Sequence, residues 1–131
     1  PTSLALVSGA TFVAQAFAGN VPHLKSMIEE GIKHKGFSLI NVLQPCVTFN
    51  NVNTYKYYLD RVYKLPESYK QDNLDTAIKE SMHVKKERFP LGILFKEDRP
   101  TFTEQLPQLE NQPLIAKPRF TDFQKLIDEF E

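Results

Sequence analysis

One cysteine, no tryptophan and five scattered glycines in 131 residues rule out several kinds of chemistry at the start. A lone Cys46 cannot form an internal disulfide, and one thiolate cannot hold a metal or a cluster by itself; such cysteine usage fits a reducing cytoplasm. Gly9, Gly19, Gly31, Gly36 and Gly92 are too far apart to build a phosphate-cradling loop. Sixteen basic residues balance sixteen acidic ones, so no long-range field recommends nucleic acid or an anionic membrane as a partner. No apolar run approaches the roughly 20 residues that cross a bilayer. Leu4-Ala5-Leu6-Val7 is too short for a signal peptide and lacks its basic flank. With proline rather than methionine first, the chain is expected to be a fragment of a longer sequence.

What is present alternates between strand and helix. A short apolar helix is expected near Ser3–Ser8, a strand near Thr11–Ala16, a helix over Pro22–Lys35 and a strand over Phe37–Leu43. Pro22 suits the first helical position and Gly36 the carboxyl-terminal cap. Leu24, Met27, Ile28 and Ile32 form the expected buried face, and Lys25, Glu29 and Lys33 a solvent ladder. Strand, helix, strand at this spacing predicts a right-handed βαβ unit with parallel strands. Thr54–Lys64 reads as a second amphipathic helix ended by Pro66, with Tyr55, Tyr58, Leu59, Val62 and Tyr63 on one face. A third helix is expected over Asn73–Lys86, with Leu74, Ala77, Ile78 and Met82 inward, and a last strand over Leu91–Lys96. Prolines at 100, 107, 113 and 118 then break all periodicity. Residues 1–98 are therefore read as one α/β domain and 99–131 as a Pro-rich tail, closing with a short helix over Thr121–Phe130.

The run Leu39-Ile40-Asn41-Val42-Leu43 looks like a central strand buried on both faces, and Pro45 should stop it near Gln44. Cys46 follows at once, at the carboxyl end of a strand, where open α/β sheets place ligands and chemistry. The plainer reading is a buried structural thiol, the common state of free cysteine. Other candidates favour plain readings. His23, His34 and His83 do not make a metal site, the first two lying eleven residues apart on different turns of one helix; they read as solvated or capping residues, with His34 well placed at a helix carboxyl terminus. Tyr55, Tyr57 and Tyr58 beside Lys56 and Arg61 could stack on bases, but their helical spacing suits a core. Lys85-Lys86-Glu87-Arg88 is a small surface basic patch. Asp60, Glu29 and Glu30 read as surface carboxylates.

Several segments together carry a resemblance: Gly9-Ala10-Thr11-Phe12-Val13-Ala14, Pro22-His23-Leu24, His34-Lys35-Gly36-Phe37, Pro45-Cys46-Val47-Thr48-Phe49-Asn50 and Asn53-Thr54-Tyr55. Arg61-Val62-Tyr63-Lys64-Leu65, Pro90-Leu91-Gly92-Ile93-Leu94-Phe95-Lys96-Glu97 and Arg99-Pro100-Thr101 continue it in order. The chain resembles the carboxyl-terminal half of the beta subunit of 2-oxoacid:ferredoxin oxidoreductases. The resemblance implies a parallel sheet with helices on both faces, the second half of a thiamine-diphosphate-binding domain. It implies oxidative decarboxylation of a 2-oxoacid, with single electrons passing through a 4Fe-4S cluster to ferredoxin and coenzyme A taking the acyl group. By the same resemblance Cys46 would be the fourth cluster ligand, the other three lying in the amino-terminal half of the subunit. The residues that hold Mg2+ and the diphosphate would also lie there; no Gly-Asp-Gly turn occurs in this chain.

This half alone is thus expected to bind no cofactor and to be inactive. Its implied partners are the alpha subunit, the amino-terminal half of the beta subunit and ferredoxin, the last of which the basic patch could help dock. A strand edge left open should make the isolated chain a homo-oligomer. The alternative is a stand-alone α/β interaction or structural module without redox activity.

Overall fold

A computed structural model describes residues 1–83, 87–109, 112–116 and 123–129. The chain forms two compact units, Pro1–Thr101 and Phe102–Glu131. The first is a four-stranded sheet in the order β2-β1-β4-β3, made of β1 (Phe12–Phe17), β2 (Ser38–Leu43), β3 (Val62–Lys64) and β4 (Phe89–Lys96). Its helices are α1 (Thr2–Val7), α2 (Val21–Lys33), α3 (Tyr55–Leu59) and α4 (Leu74–Ser81). The second unit holds short 3-10 turns at Pro107–Leu109 and Leu114–Ala116 and helix α5 (Phe123–Asp128). Thr121, the expected cap of that last helix, and Phe130 lie outside the described residues.

β1 is the centre of the sheet, and all six of its residues are buried. Successive side chains point to opposite faces. Phe12 meets the His34 ring beyond α2 on one face, with ring centres 5.4 Å apart. Val13 joins Ala5, Leu6, Ala77 and Leu94 in a core cluster under α1 and α4 on the other. Helices therefore cover both faces. Burying a side chain the size of Phe12 or Leu6 contributes about 1.5–3 kcal/mol each.

The βαβ unit forms as its sequence predicts: β1 and β2 pair in parallel with Phe12 opposite Ser38 and Phe17 opposite Leu43. The sheet as a whole is not parallel. β4 runs antiparallel to β1, with a register shift at Val13/Ala14 that leaves Leu94 as an extra residue. Ladder geometry strands the carbonyl of such a bulge. Here it accepts the Tyr69 hydroxyl at 2.8 Å, so the bulge is closed by a side chain from a polar loop.

Four further expectations, on β2, the Thr54–Lys64 segment, the face of α2 and Gly36, need correction. β2 is an edge strand of half-buried residues rather than a central strand buried on both faces. Its composition suits an interior position that no strand among the described residues completes. Second, Thr54–Lys64 is not one helix. Thr54 caps α3 by accepting from the Tyr57 N–H, the helix stops at Leu59, and Val62–Lys64 becomes β3 in parallel pairing with Phe89–Leu91. Val62 and Tyr63 prefer a pleated surface, and a ladder partner is available only in the folded chain. Third, α2 turns its seam away from the expected stripe: Leu24 and Met27 are half-buried, but Ile28 and Ile32 are exposed. Gly31 explains the rotation, because a Cβ there would stand 2.8 Å from the Ile40 side chain, so the helix lies closest to the sheet at that point. Fourth, His34 caps the helix in an extended conformation, and Gly36 works two residues on, at φ +129 in the turn into β2. A side chain there would collide with Thr11 Oγ1.

α4 begins on Asn73, whose side chain accepts from the Thr76 N–H at 2.9 Å, and it ends at Ser81 with Met82 as its cap; Lys86, its expected end, lies outside the described residues. Ala77 and Ile78 point inward, whereas Leu74 and Met82 are exposed.

Candidate functional site

The Cys46 turn is built from both ends. The Leu43 carbonyl accepts from the Ala18 N–H at 3.0 Å, which completes the β1–β2 ladder. Gln44 and Pro45 then lead the chain out of the sheet, with Pro45 buried as an anchor. Cys46 itself is exposed, so the structural-thiol reading fails on burial. The turn closes where the Asn50 N–H donates to the Cys46 carbonyl at 3.0 Å. Asn50 Oδ1 in turn accepts from the Val52 and Asn53 N–H groups, both at 2.9 Å. This arrangement offers a thiol to whatever lies beyond the sheet. Among the described residues no three His, Cys, Asp or Glu side chains come together to hold a metal. One exposed cysteine can supply a single ligand and no more.

Beside this turn lies a cleft of about 470 Å³ between β1, β2, α1, α3 and the end of α4. Its floor is Gln15, only 1% exposed and fully engaged: Asn41 Nδ2 donates to its Oε1 at 2.7 Å, and its Nε2 donates to the Pro90 carbonyl at 2.8 Å. One side chain thereby ties β2, β1 and β4 together. Ser3 and Ser81 hydroxyls meet at 2.8 Å on the opposite wall. The lining carries hydroxyls and amides but no ionised side chain. Sequence reading passed over this network, although its signal was present. Gln15 and Asn41 each interrupt an apolar run near its middle, and they stand opposite each other in the register.

A second cluster joins β3 to α4. The Tyr63 hydroxyl donates to Glu80 Oε2 and meets His83 Nδ1, both at 2.7 Å, and the Arg88 guanidinium lies 4.7 Å from the Tyr63 ring centre. Burial first, then the hydrogen bond to Glu80 and its charge, raise the Tyr63 phenol far above its ordinary value. Burial, then the Glu80 charge, push Tyr69 up to about 12. Glu80 was not singled out from sequence; its spacing of three from His83 was the available clue.

The histidines do not converge. His34 Nε2 bonds Thr11 Oγ1 at 2.9 Å in its capping position. His23 is half-buried rather than solvated, and burial, then Lys64, lower its pKa. Its Nδ1 has no hydrogen-bond partner among the described residues. The expected tyrosine core is not buried: Tyr55 and Tyr58 stack on Phe17 and Tyr57 on Tyr58, but Tyr55 and Leu59 are exposed and Tyr57 and Tyr58 only half-buried, with Arg61 over the Tyr57 ring at 4.1 Å. Of the basic patch, Lys85 and Lys86 lie outside the described residues, and Glu87 pairs with Arg61 at 3.2 Å.

Comparison with known proteins agrees with this geometry. The family model for the C-terminal region of the pyruvate ferredoxin oxidoreductase beta subunit matches residues 46–111, starting at the exposed cysteine. A 2-oxoacid:ferredoxin oxidoreductase subunit beta from a Sulfolobus species is 38% identical over 133 residues, covering 94% of this chain and 42% of its own length. The corresponding Saccharolobus solfataricus subunit is 41% identical over 116 residues, covering 80% of this chain and 38% of its own length. Among solved structures, a chain of the 2-oxoglutarate:ferredoxin oxidoreductase from Magnetococcus marinus, with 2-oxoglutarate, coenzyme A and succinyl-CoA bound, superposes with a TM-score of 0.82 at 30% identity. That alignment covers 100% of this chain and 44% of the other. The chain thus spans less than half the length of these relatives. With the strand-Pro45-Cys46 turn, the fold and the sequence in agreement, the chain belongs to the family of the carboxyl-terminal region of pyruvate ferredoxin oxidoreductase beta subunits.

Proposed function

We propose that this chain acts as the carboxyl-terminal portion of the beta subunit of a 2-oxoacid:ferredoxin oxidoreductase. In that setting Cys46 supplies one thiolate to a 4Fe-4S cluster whose other ligands come from the rest of the subunit. The cluster, when bound, provides one-electron storage between the oxidised substrate and ferredoxin. The observation that carries this reading is the Cys46 thiol. It is the chain's only cysteine and is exposed on a Pro-anchored turn at the end of β2, where the family match begins. An exposed thiol held clear of the core suits ligation from outside; a buried one would not.

The residues present do not suffice for a whole cluster, since Cys46 is the single thiol. Among the described residues the cleft beside the turn has no ionised side chain to cradle a cation or a phosphate. Thiamine diphosphate, Mg2+ and the remaining ligands therefore belong to the amino-terminal portion, and the alpha subunit, coenzyme A and ferredoxin complete the enzyme. The site of action is the cytoplasm, and the chain alone is inactive.

Two measurements test this. Anaerobic reconstitution of the chain alone, followed by iron and labile-sulfide analysis, should give no cluster; a stoichiometric cluster on the monomer overturns the proposal. In the assembled two-subunit enzyme, Cys46→Ser should strongly reduce cluster occupancy and the low-temperature EPR signal of the reduced protein. Unchanged occupancy and an unchanged spectrum would remove Cys46 from the ligand set.

A further inference from the structure

Tyr63, Glu80 and His83 bring three donor atoms of different chemistry to one point where β3 meets the end of α4. The Tyr63 hydroxyl stands 2.7 Å from both Glu80 Oε2 and His83 Nδ1, and those two atoms lie 3.1 Å apart. Ligands at right angles on a first-row divalent ion, with bonds of about 2.0–2.2 Å, are separated by about 2.8–3.1 Å. The triangle of phenol, carboxylate and imidazole thus has nearly the size of one face of a coordination shell. Glu80 belongs to α4 and His83 to the turn after it, at the three-residue spacing by which Glu-x-x-His pairs serve metal sites in helical bundles. β3 supplies the third donor from 17 residues upstream of Glu80. The side chains of Glu80 and His83 keep 23% and 36% of their surface exposed, so an ion can reach them and water can fill the positions left open.

We infer that this triangle binds one divalent transition-metal ion of the zinc class through Tyr63 Oη, Glu80 Oε2 and His83 Nδ1. Its imidazole nitrogen and anionic oxygens, with no thiolate, suit such an ion. The site needs neither Cys46 nor the remainder of a longer subunit. A carboxylate and a phenolate together balance the two positive charges, and the neutral imidazole completes the face. Binding replaces the phenol proton: the Tyr63 O–H bond breaks, a metal–oxygen bond forms, and one proton leaves to solvent. Burial, the hydrogen bond to Glu80 and the charges of Glu80 and Tyr69 hold that proton when the ion is absent, whereas Arg88, 4.7 Å from the ring centre, favours the phenolate. Glu80 changes sides when the ion arrives. Its charge opposes a lone phenolate but attracts the metal that replaces the proton. The ion thereby clips the edge strand β3 to the end of α4.

Cobalt(II) is the probe, titrated into the chain carrying Cys46→Ser so that its only thiol does not compete. The expected result is one Co2+ per chain, displaced by Zn2+, with one proton released per ion and a tyrosinate band in the ultraviolet difference spectrum. Release of one proton makes the apparent affinity rise about tenfold per pH unit around neutrality. Losing a ligand costs at least what losing its outer partner does, so Glu80→Gln and His83→Gln should each weaken binding about tenfold or more. Tyr63→Phe should abolish the proton release and the tyrosinate band. It removes one oxygen and keeps the ring, so it carries the test if either of the other variants fails to fold by circular dichroism. No binding up to millimolar Co2+ overturns the inference and leaves the trio a hydrogen-bonded network only. Binding without a tyrosinate band overturns it as well, because Tyr63 is then no ligand. Binding that survives all three substitutions puts the ion on other side chains and again overturns it.

Discussion

β3 ends one side of the sheet with three residues and an exposed lysine, whereas β2 ends the other with six residues and no charge. The β3 edge is reinforced from within by the Tyr63–Glu80–His83 contacts and from outside by the Arg61–Glu87 pair. Its register places Tyr63 opposite Pro90, a residue with no N–H to give. The β2 edge is held by its ladder to β1, the Gln15–Asn41 bond and the Ser38 hydroxyl, which donates to the Gly31 carbonyl of α2 at 2.9 Å. One side is finished as a boundary against water; the other is finished like the interior of a larger sheet. The composition of an edge thus records whether it was shaped for solvent or for a neighbour.

If Gln15 is what anchors the open side, removing it should hurt most. Gln15→Ala leaves a cavity and strips partners from Asn41 and the Pro90 carbonyl, so we expect a loss of about 2–4 kcal/mol in denaturant unfolding. Gln15→Glu, which keeps the shape but buries a charge, should be no better tolerated. A loss below about 0.5 kcal/mol would mean that β2 needs no internal tether.

At the guarded edge the effect should be smaller. Tyr63→Phe removes one hydroxyl between two half-buried partners, and we expect a loss of about 1–2 kcal/mol. Glu80→Gln should lower the phenol pKa, because both the hydrogen bond and the charge of Glu80 raise it. Titration of the tyrosinate absorbance checks this.

Tyr69 links the comparison to pH. Its folded value, about 12, lies above the ordinary 10, so the folded state favours the protonated phenol. Its contribution is therefore complete below about pH 10 and is lost as pH rises from 10 toward 12. Loss of the proton also takes away the donor to the Leu94 carbonyl in the β4 bulge. Tyr69→Phe should lower stability at neutral pH by about 1 kcal/mol and flatten the alkaline part of the stability curve. An unchanged alkaline limb would show that the bulge carbonyl finds another partner. His23 acts at the opposite end: its lowered pKa means stability falls as pH drops below 6.5, the value it has when unfolded.

Much of this architecture is legible in sequence where local signals and tertiary demands coincide. α1, β1, α2 and β2 fall within two residues of expectation because apolar period, capping and loop spacing agree. The Pro45–Cys46 turn was equally readable, since proline ends a ladder for a local reason. Val62–Lys64 was not, because helical spacing of its apolar residues continued from α3 and only pairing with Phe89–Leu91 makes it a strand. Nor was the antiparallel β4, whose direction depends on the path taken by residues 65–88 rather than on any residue within it. The hydrogen-bonded pairs Gln15–Asn41 and Tyr63–Glu80 span 26 and 17 residues; a polar residue inside an apolar run marks Gln15 and Asn41 singly, but only the folded register pairs them. Ile28 and Ile32 misled because a helix-wide apolar stripe gives the period but not which helix side approaches a sheet; Gly31 settles that.

The smallest change in folding energy should accompany the clearest change in behaviour. Val42 and Lys64 are exposed residues near the ends of the two edge strands, so substitutions at either should alter stability by no more than about 0.5 kcal/mol. Their effect on association should be opposite. The isolated chain presents an unguarded β2 edge and should self-associate at micromolar concentration; Val42→Lys, which places a cation against that edge, should return it to a monomer in sedimentation. Lys64→Val removes the exposed charge from β3 but leaves a strand of three residues with a proline two positions beyond it. If charge is the decisive guard, this variant should associate more strongly than the parent chain; if brevity and the buried network suffice, it should not change. We expect no change, because three residues offer too few unpaired backbone groups to hold a second chain in register. Stronger association of Lys64→Val, or a parent chain that sediments as a monomer, would show that the two edges differ less than their sequences suggest.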